Sequence, residues 1–236
     1  MEPHLTDLLP AIEVETSPDP RFSVIWLHGL GADGSDFEPV VPELGLDGLC
    51  GIRFIFPHAP MIPVTCNGGY VMPAWYDIIS LDPHSRRIDD GGIVASRAAI
   101  RRLVEREVAR GVPAARIFIA GFSQGGAVAY ATALTHPEKL AGVIALSTYI
   151  PNADWLASEA SAANRLTPIF AAHGSEDGVV SPALGLAARD FLIERGYTLE
   201  WHDYRMQHSV CIEEIEAVGE WLRRTMAAQD ETAGQG

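Results

Sequence analysis

A serine stands between glycines at Gly121-Phe122-Ser123-Gln124-Gly125, directly after the apolar run Arg116–Ala120 and just before the alanine-rich stretch Gly126–Leu134. The first run reads as a short buried strand and the second as a closely packed helix, so Ser123 falls on a strand-to-helix turn. A turn that sharp brings backbone close to its flanking positions, where glycine avoids the clash. The chemistry available there is nucleophilic. The turn raises a hydroxyl over the first turn of a helix, whose free N–H groups suit a developing negative charge. A serine keeps its proton at neutral pH, so it needs a base, and the base needs a group to orient it.

Candidates for both follow later in the chain. In "HGSEDGVVSP", Asp177 lies beyond the strand-like Pro168–His173 and before a helix opened by Ser181-Pro182. Glu176 is the neighbouring alternative, while Asp33, Asp36 and Asp77 read as caps or turn residues. A serine on such a turn is expected to be followed by its acid and then by its histidine, which leaves His202 and His208. His202 lies inside the strand pattern "TLEWHDYR", whereas His208 follows it in "MQHSV", a loop position free to face the serine. In this arrangement His208 takes the Ser123 proton and Asp177 holds the imidazole in the right tautomer. The turn His28-Gly29-Leu30-Gly31 can aim backbone N–H groups at the same place, so Leu30 and Gln124 are the expected oxyanion donors. One such donor is worth about 2.7–4 kcal/mol. A phosphate-binding loop would need a Gly-Lys-Ser/Thr ending or Gly-x-Gly-x-x-Gly, and neither is present. His28 precedes the serine and reads as structural. The histidines lack metal-ligand spacing, and the chemistry requires neither metal nor cofactor.

These residues need a scaffold. Strand patterns occur at Phe22–His28, Ile52–Phe56, Arg116–Ala120, Gly142–Leu146, Pro168–His173 and Leu199–Tyr204, with an edge strand at Ala11–Glu15. Helical patterns occur at Asp36–Leu44, Ile93–Arg110, Gly126–Thr135, Pro182–Arg195 and Ser209–Met226, the second capped by Asp89 or Asp90. The alternation predicts a mostly parallel sheet with helices on both faces, and ligands then bind beyond the carboxyl ends of the strands. Pro57–Asp90 shows little regular pattern yet carries Met61, Ile62, Met72, Trp75, Tyr76, Ile78 and Ile79. A loop that long and apolar is expected to wall an acyl site, with about half its apolar groups packing beneath it.

The 236 residues carry a net charge of −14, which argues against nucleic acid and against docking to anionic membranes. No secretory leader or membrane-length apolar run is evident, and three cysteines without metal-like spacing suit a reducing cytoplasm. One domain over residues 1–228 with a frayed tail over 229–236 is expected; monomer and homodimer both fit.

The pieces "LHGLGADGSDF", "PHAPMIPVTCNGGYVMPAWYD", "GFSQGGAVA", "HGSEDGVV" and "QHSV" resemble the bacterial carboxylesterase and acyl-protein thioesterase family of α/β hydrolases. They span about Leu27 to Val210. The resemblance implies an α/β-hydrolase fold without a large lid domain and Ser123, Asp177 and His208 as catalytic triad. It also implies Leu30 and Gln124 as oxyanion donors, and esters of short to medium acyl chains as substrates, with thioesters, including those on proteins, and lysophospholipids as further candidates. Met72, Trp75 and Tyr76 are expected at the substrate. Gln207 stands where the family usually has glycine, and its amide is expected to touch substrate too. Two other readings are a non-catalytic binder on this fold and another enzyme of the same architecture, such as a dienelactone hydrolase or a peptidase. The first would have lost part of the triad. Dienelactone hydrolases usually carry cysteine as nucleophile, and peptidases of this fold usually carry extra domains.

Overall fold

Each central strand divides its side chains between two cores, because successive residues of a strand point to opposite faces. Ile25 and Leu27 join one cluster while Phe22, Val24 and Trp26 join the other; Ile117 and Ile119 alternate in the same way with Phe118 and Ala120. In the computed structural model, which describes residues 8–81 and 86–233, these strands form one seven-stranded sheet. They are β1 (Ala11–Glu15), β2 (Pro20–Leu27), β3 (Gly51–Pro57), β8 (Ile117–Phe122), β9 (Gly142–Leu146), β10 (Ile169–Gly174) and β11 (Leu199–Tyr204). Their order is β1-β3-β2-β8-β9-β10-β11, and all pairs are parallel except β1 with β3 at the edge. All seven were expected from the sequence, with boundaries shifted by two residues at most. Side chains of α1 (Asp90–Ala109), α2 (Gln124–Leu134) and α4 (Pro182–Glu194) contribute to one core, and α5 (Ile212–Ala233) to the other.

Helix α1 begins at Asp90, with the Asp89 carboxylate accepting from the Gly91 and Gly92 N–H groups. Its Glu107 is fully buried and accepts from Arg53 Nη1 at 2.7 Å and Ser23 Oγ at 2.8 Å. Burial alone would raise that carboxyl; Arg53 and Ser23 outweigh it and hold Glu107 below its usual value. The network ties α1 to β2 and β3.

Three expectations need correction, and one helix was not expected. Asp36–Leu44 is two short 3-10 turns, Glu38–Val40 and Pro42–Leu44, because Pro39 and Pro42 each remove a backbone donor. The stretch expected to lack pattern holds two antiparallel hairpins, β4 (Met61–Val64) with β5 (Tyr70–Pro73) and β6 (Ile78–Leu81) with β7 (Arg86–Ile88). A helix, α3, occupies Ala153–Glu159, where Asn152 caps it by accepting from Trp155 N–H. The last helix begins at Ile212 and reaches Ala233, so much of the expected tail is helical; Gln229 donates to Ala141 O at 3.0 Å and Asp230 pairs with Arg21 and Arg116. Among the described residues, no helix is long and apolar enough to cross a membrane.

Glu214, in the first turn of α5, is fully buried, and neither carboxylate oxygen has a hydrogen-bond partner. Burial pushes its carboxyl up to about 8, and the Cys211 N–H, nearby but outside hydrogen-bonding geometry, offsets this only in part. In the unfolded chain a glutamate titrates near ~4.3. Between these values the folded state holds a proton that the unfolded state has lost, so stability falls as pH rises through the window. At about 1.4 kcal/mol per pH unit the effect amounts to several kcal/mol at most. Glu214→Gln should therefore flatten the decline in Tm between pH 5 and pH 8. Equal declines in the two proteins would show that Glu214 holds no buried proton.

Candidate active site

The loops at the carboxyl ends of β2, β8, β10 and β11 converge. Ser123 follows β8 with φ 54° and ψ −119°, a conformation that costs a non-glycine residue about 1–3 kcal/mol. Three bonds hold it there: Ser123 N–H to Leu146 O at 2.9 Å, Ala127 N–H to Ser123 O at 3.2 Å and Thr148 Oγ1 to Ser123 O at 2.6 Å. A Cβ at Gly121 would overlap the Gly125 backbone, and one at Gly125 would overlap the Leu27 and His28 carbonyls. Glycine is required at both positions for the reason the sequence suggests.

The β10 and β11 loops are laced together by Ser175 N–H to Tyr204 O at 2.8 Å and Glu176 N–H to Met206 O at 3.1 Å. That lacing sets Asp177 beside His208. Asp177 Oδ2 lies 2.7 Å from His208 Nδ1, and His208 Nε2 lies 2.9 Å from Ser123 Oγ. Asp177 Oδ1 accepts from the N–H groups of Val179 and Val180, both at 2.8 Å. Burial would raise the Asp177 carboxyl, but the His208 hydrogen bond and the two backbone donors prevail and hold it below its ordinary value. The alternatives point elsewhere. Glu176 is exposed and pairs with Arg205, while His202 contacts Glu200 and stacks on Phe170.

The serine opens onto a cavity of about 270 Å³ lined by Leu30, Ile78, Leu81, Arg86, Phe122 and Val179, among others. A second hollow shares Asp36, Phe122 and His208 with the first and is lined also by Phe37, Val40, Ser209 and Val210. At the mouth of α2, Gln124 N–H belongs to the first helical turn and has no intrahelical acceptor. In the facing turn, Gly31 N–H bonds Pro73 O and Ala32 N–H bonds Gly29 O; Leu30 N–H takes no part in that pattern. His28 is structural, as expected: Ala59 N–H donates to its Nε2 and its Nδ1 faces Gly29 O, while burial lowers its pKa. No group of three or more His, Cys, Asp or Glu among the described residues is arranged to hold a metal.

The four expected substrate contacts are not on this cavity. Trp75 is 2% exposed, and its indole donates to His28 O. Tyr76 is fully buried, with its hydroxyl 2.8 Å from that of Tyr149. Both brace the loop from beneath. Met72 sits under Gly31 with its sulfur 3.4 Å from Asn67 Nδ2, and Gln207 is exposed; neither lines the cleft. Apolar type in a long loop signals burial as readily as ligand contact, and only the packing separates them.

Several contributors went unread. The Gln124 side chain brackets the loop to the serine turn, accepting from Trp75 N–H at 2.9 Å and donating to Tyr76 O at 2.7 Å. The Phe122 ring lies 4.7 Å from the His208 ring and packs also on Phe37. His173, buried and with its pKa lowered by burial, donates from Nε2 to Val180 O at 2.9 Å, with Asp177 Oδ2 at 3.5 Å. Its place at the end of β10 was the available signal. Ile78, Leu81, Arg86 and Val179 are brought to the cavity by hairpin and loop geometry that local pattern does not encode.

A parallel sheet of this order, with a strained serine at the end of β8, is the architecture of an α/β hydrolase, here without a large lid. The chain belongs to the phospholipase/carboxylesterase family, whose model matches residues 10–226. It is 41% identical to acyl-protein thioesterase 1 of Neurospora crassa, over 91% of this chain and 89% of that one. It is 38% identical to acyl-protein thioesterase 1 of Yarrowia lipolytica, over 92% and 97%. Among solved structures it is similar to Arabidopsis thaliana SOBER1, with TM-score 0.82 and 34% identity over 87% of this chain and 99% of that one. The protein is accordingly an enzyme, a serine hydrolase acting on ester or thioester bonds.

Proposed function

We propose that Ser123, His208 and Asp177 are the catalytic triad and that the enzyme cleaves carboxylic esters, and thioesters including those of acylated proteins, with short to medium acyl chains. The observation that carries this reading is the unbroken chain from Asp177 Oδ2 to His208 Nδ1 at 2.7 Å and from His208 Nε2 to Ser123 Oγ at 2.9 Å. His208 Nε2 takes the hydroxyl proton as Ser123 Oγ attacks the carbonyl carbon. The tetrahedral oxyanion receives the N–H groups of Leu30 and Gln124. The C–O or C–S bond breaks, His208 returns the proton to the leaving group, and an acyl-serine remains. Water, deprotonated by His208, then releases the acid. Asp177 stays ionised, which suits a group holding an imidazolium, and its depressed pKa supports that role.

The apolar lining by Leu30, Ile78, Leu81 and Val179 supports an acyl chain there. Each methylene buried on it is worth up to about 0.8 kcal/mol, or roughly four-fold. The test is a panel of p-nitrophenyl esters and S-acyl thioesters of graded length, with fluorophosphonate labelling in parallel. The expected result is hydrolysis whose kcat/KM rises from acetate and then falls as the cavity fills, with label on Ser123. No turnover and no labelling would overturn the proposal.

A further inference from the structure

Apart from His208, the only basic side chain among the described residues lining the cavity is Arg86. It stands on β7 opposite Leu81, another lining residue. Its guanidinium carbon lies 5.0 Å over the Tyr149 ring, and its Nη2 donates to Val179 O. Its Nε is buried without an acceptor, and no carboxylate among the described residues lies within ion-pair distance. Elsewhere carboxylates are abundant: Arg53, Arg106, Arg110 and Arg116 each meet one, in a chain of net charge −14.

A half-buried cation that meets only neutral groups among the described residues is stabilised less than one paired with a carboxylate. The Tyr149 ring and the Val179 carbonyl fix its plane, so little rotamer freedom remains to be lost when a ligand binds. Asn67 adds a polar side chain to the same lining. Asp36 also lines the cavity but makes no ion pair with Arg86, and Leu30, Ile78, Leu81, Phe122 and Val179 supply apolar wall, which lowers the local dielectric and strengthens any charge pair formed there. The net charge repels anions at long range, but that field decays over about 8 Å at physiological ionic strength, whereas Arg86 acts at contact.

We propose that Arg86, assisted by Asn67, is an anion subsite of the reaction cleft, binding a carboxylate or phosphate that the substrate carries away from its scissile ester. This rests on the reading of Ser123 as nucleophile. The anion could belong to the acyl part, as in a dicarboxylic monoester, or to the alcohol part, as in an acylated glycerol phosphate. Two substrate pairs separate these sources: mono-p-nitrophenyl adipate against its ω-methyl ester, and 1-acetylglycerol 3-phosphate against 1-acetylglycerol. The readout is the charged-to-neutral ratio of kcat/KM, which cancels any general loss of fold or activity in a variant.

For one pair the wild type should favour the charged member, and Arg86→Gln should lower the ratio by about ten- to a hundred-fold, the range of a charge-assisted hydrogen bond. Arg86→Lys should retain part of the preference, and added salt should weaken it. The pair that responds identifies which part carries the anion. A ratio unchanged by Arg86→Gln in both pairs, with the neutral members hydrolysed, would overturn the subsite and leave the hydrolase reading intact; Arg86 would then be a strut between Val179 and Tyr149. A wild type that hydrolyses none of the four would overturn both.

Discussion

Ser123→Ala is expected to lower kcat on any p-nitrophenyl ester by about 10⁴- to 10⁶-fold, the scale at which loss of a triad nucleophile is felt in serine hydrolases. The fold should survive. Among the described residues the Ser123 hydroxyl bonds His208 alone, whereas the strained backbone is held by Leu146, Ala127 and Thr148, which the substitution leaves in place. Alanine inherits the positive φ and its cost, so Tm should change little. Fluorophosphonate labelling should vanish with the activity. Residual turnover above about one part in a thousand, in a protein of unchanged Tm, would mean that another group attacks the ester.

The second large effect separates two adjacent carboxylates. Asp177→Asn should reduce kcat by about 10⁴-fold. The amide oxygen can still accept from Val179 and Val180, which favours turning the amide nitrogen toward His208 Nδ1. That nitrogen is a donor, so the imidazole proton must move to Nε2, which then cannot accept from Ser123. Glu176→Gln should leave kcat within about two-fold, because Glu176 faces solvent and pairs with Arg205, and an exposed pair contributes about 0–1 kcal/mol. Steady-state kinetics on one short ester decides the matter; the reverse pattern would move the acid to Glu176.

The sequence by itself determined the alternation of strands and helices, and with it the two-core sheet. The reason is local: period-two side chains and helical stripes must each bury a face wherever the chain travels. It also determined the serine turn, since overlap at Gly121 and Gly125 arises where the β8–α2 turn meets the end of β2. Tertiary structure decided what depends on residues distant in sequence. Asp177 and Glu176 are chemically similar neighbours, and the lacing of the β10 and β11 loops alone turns the former to His208. Trp75 and Tyr76 looked like substrate contacts because apolar side chains in a long loop suit either role; Gln124, Ser96 and Tyr149 draw them inward. Arg86 offered no local signal at all. Its place on the cavity comes from the register of a hairpin and from Tyr149, both set by long-range packing that no window of sequence contains.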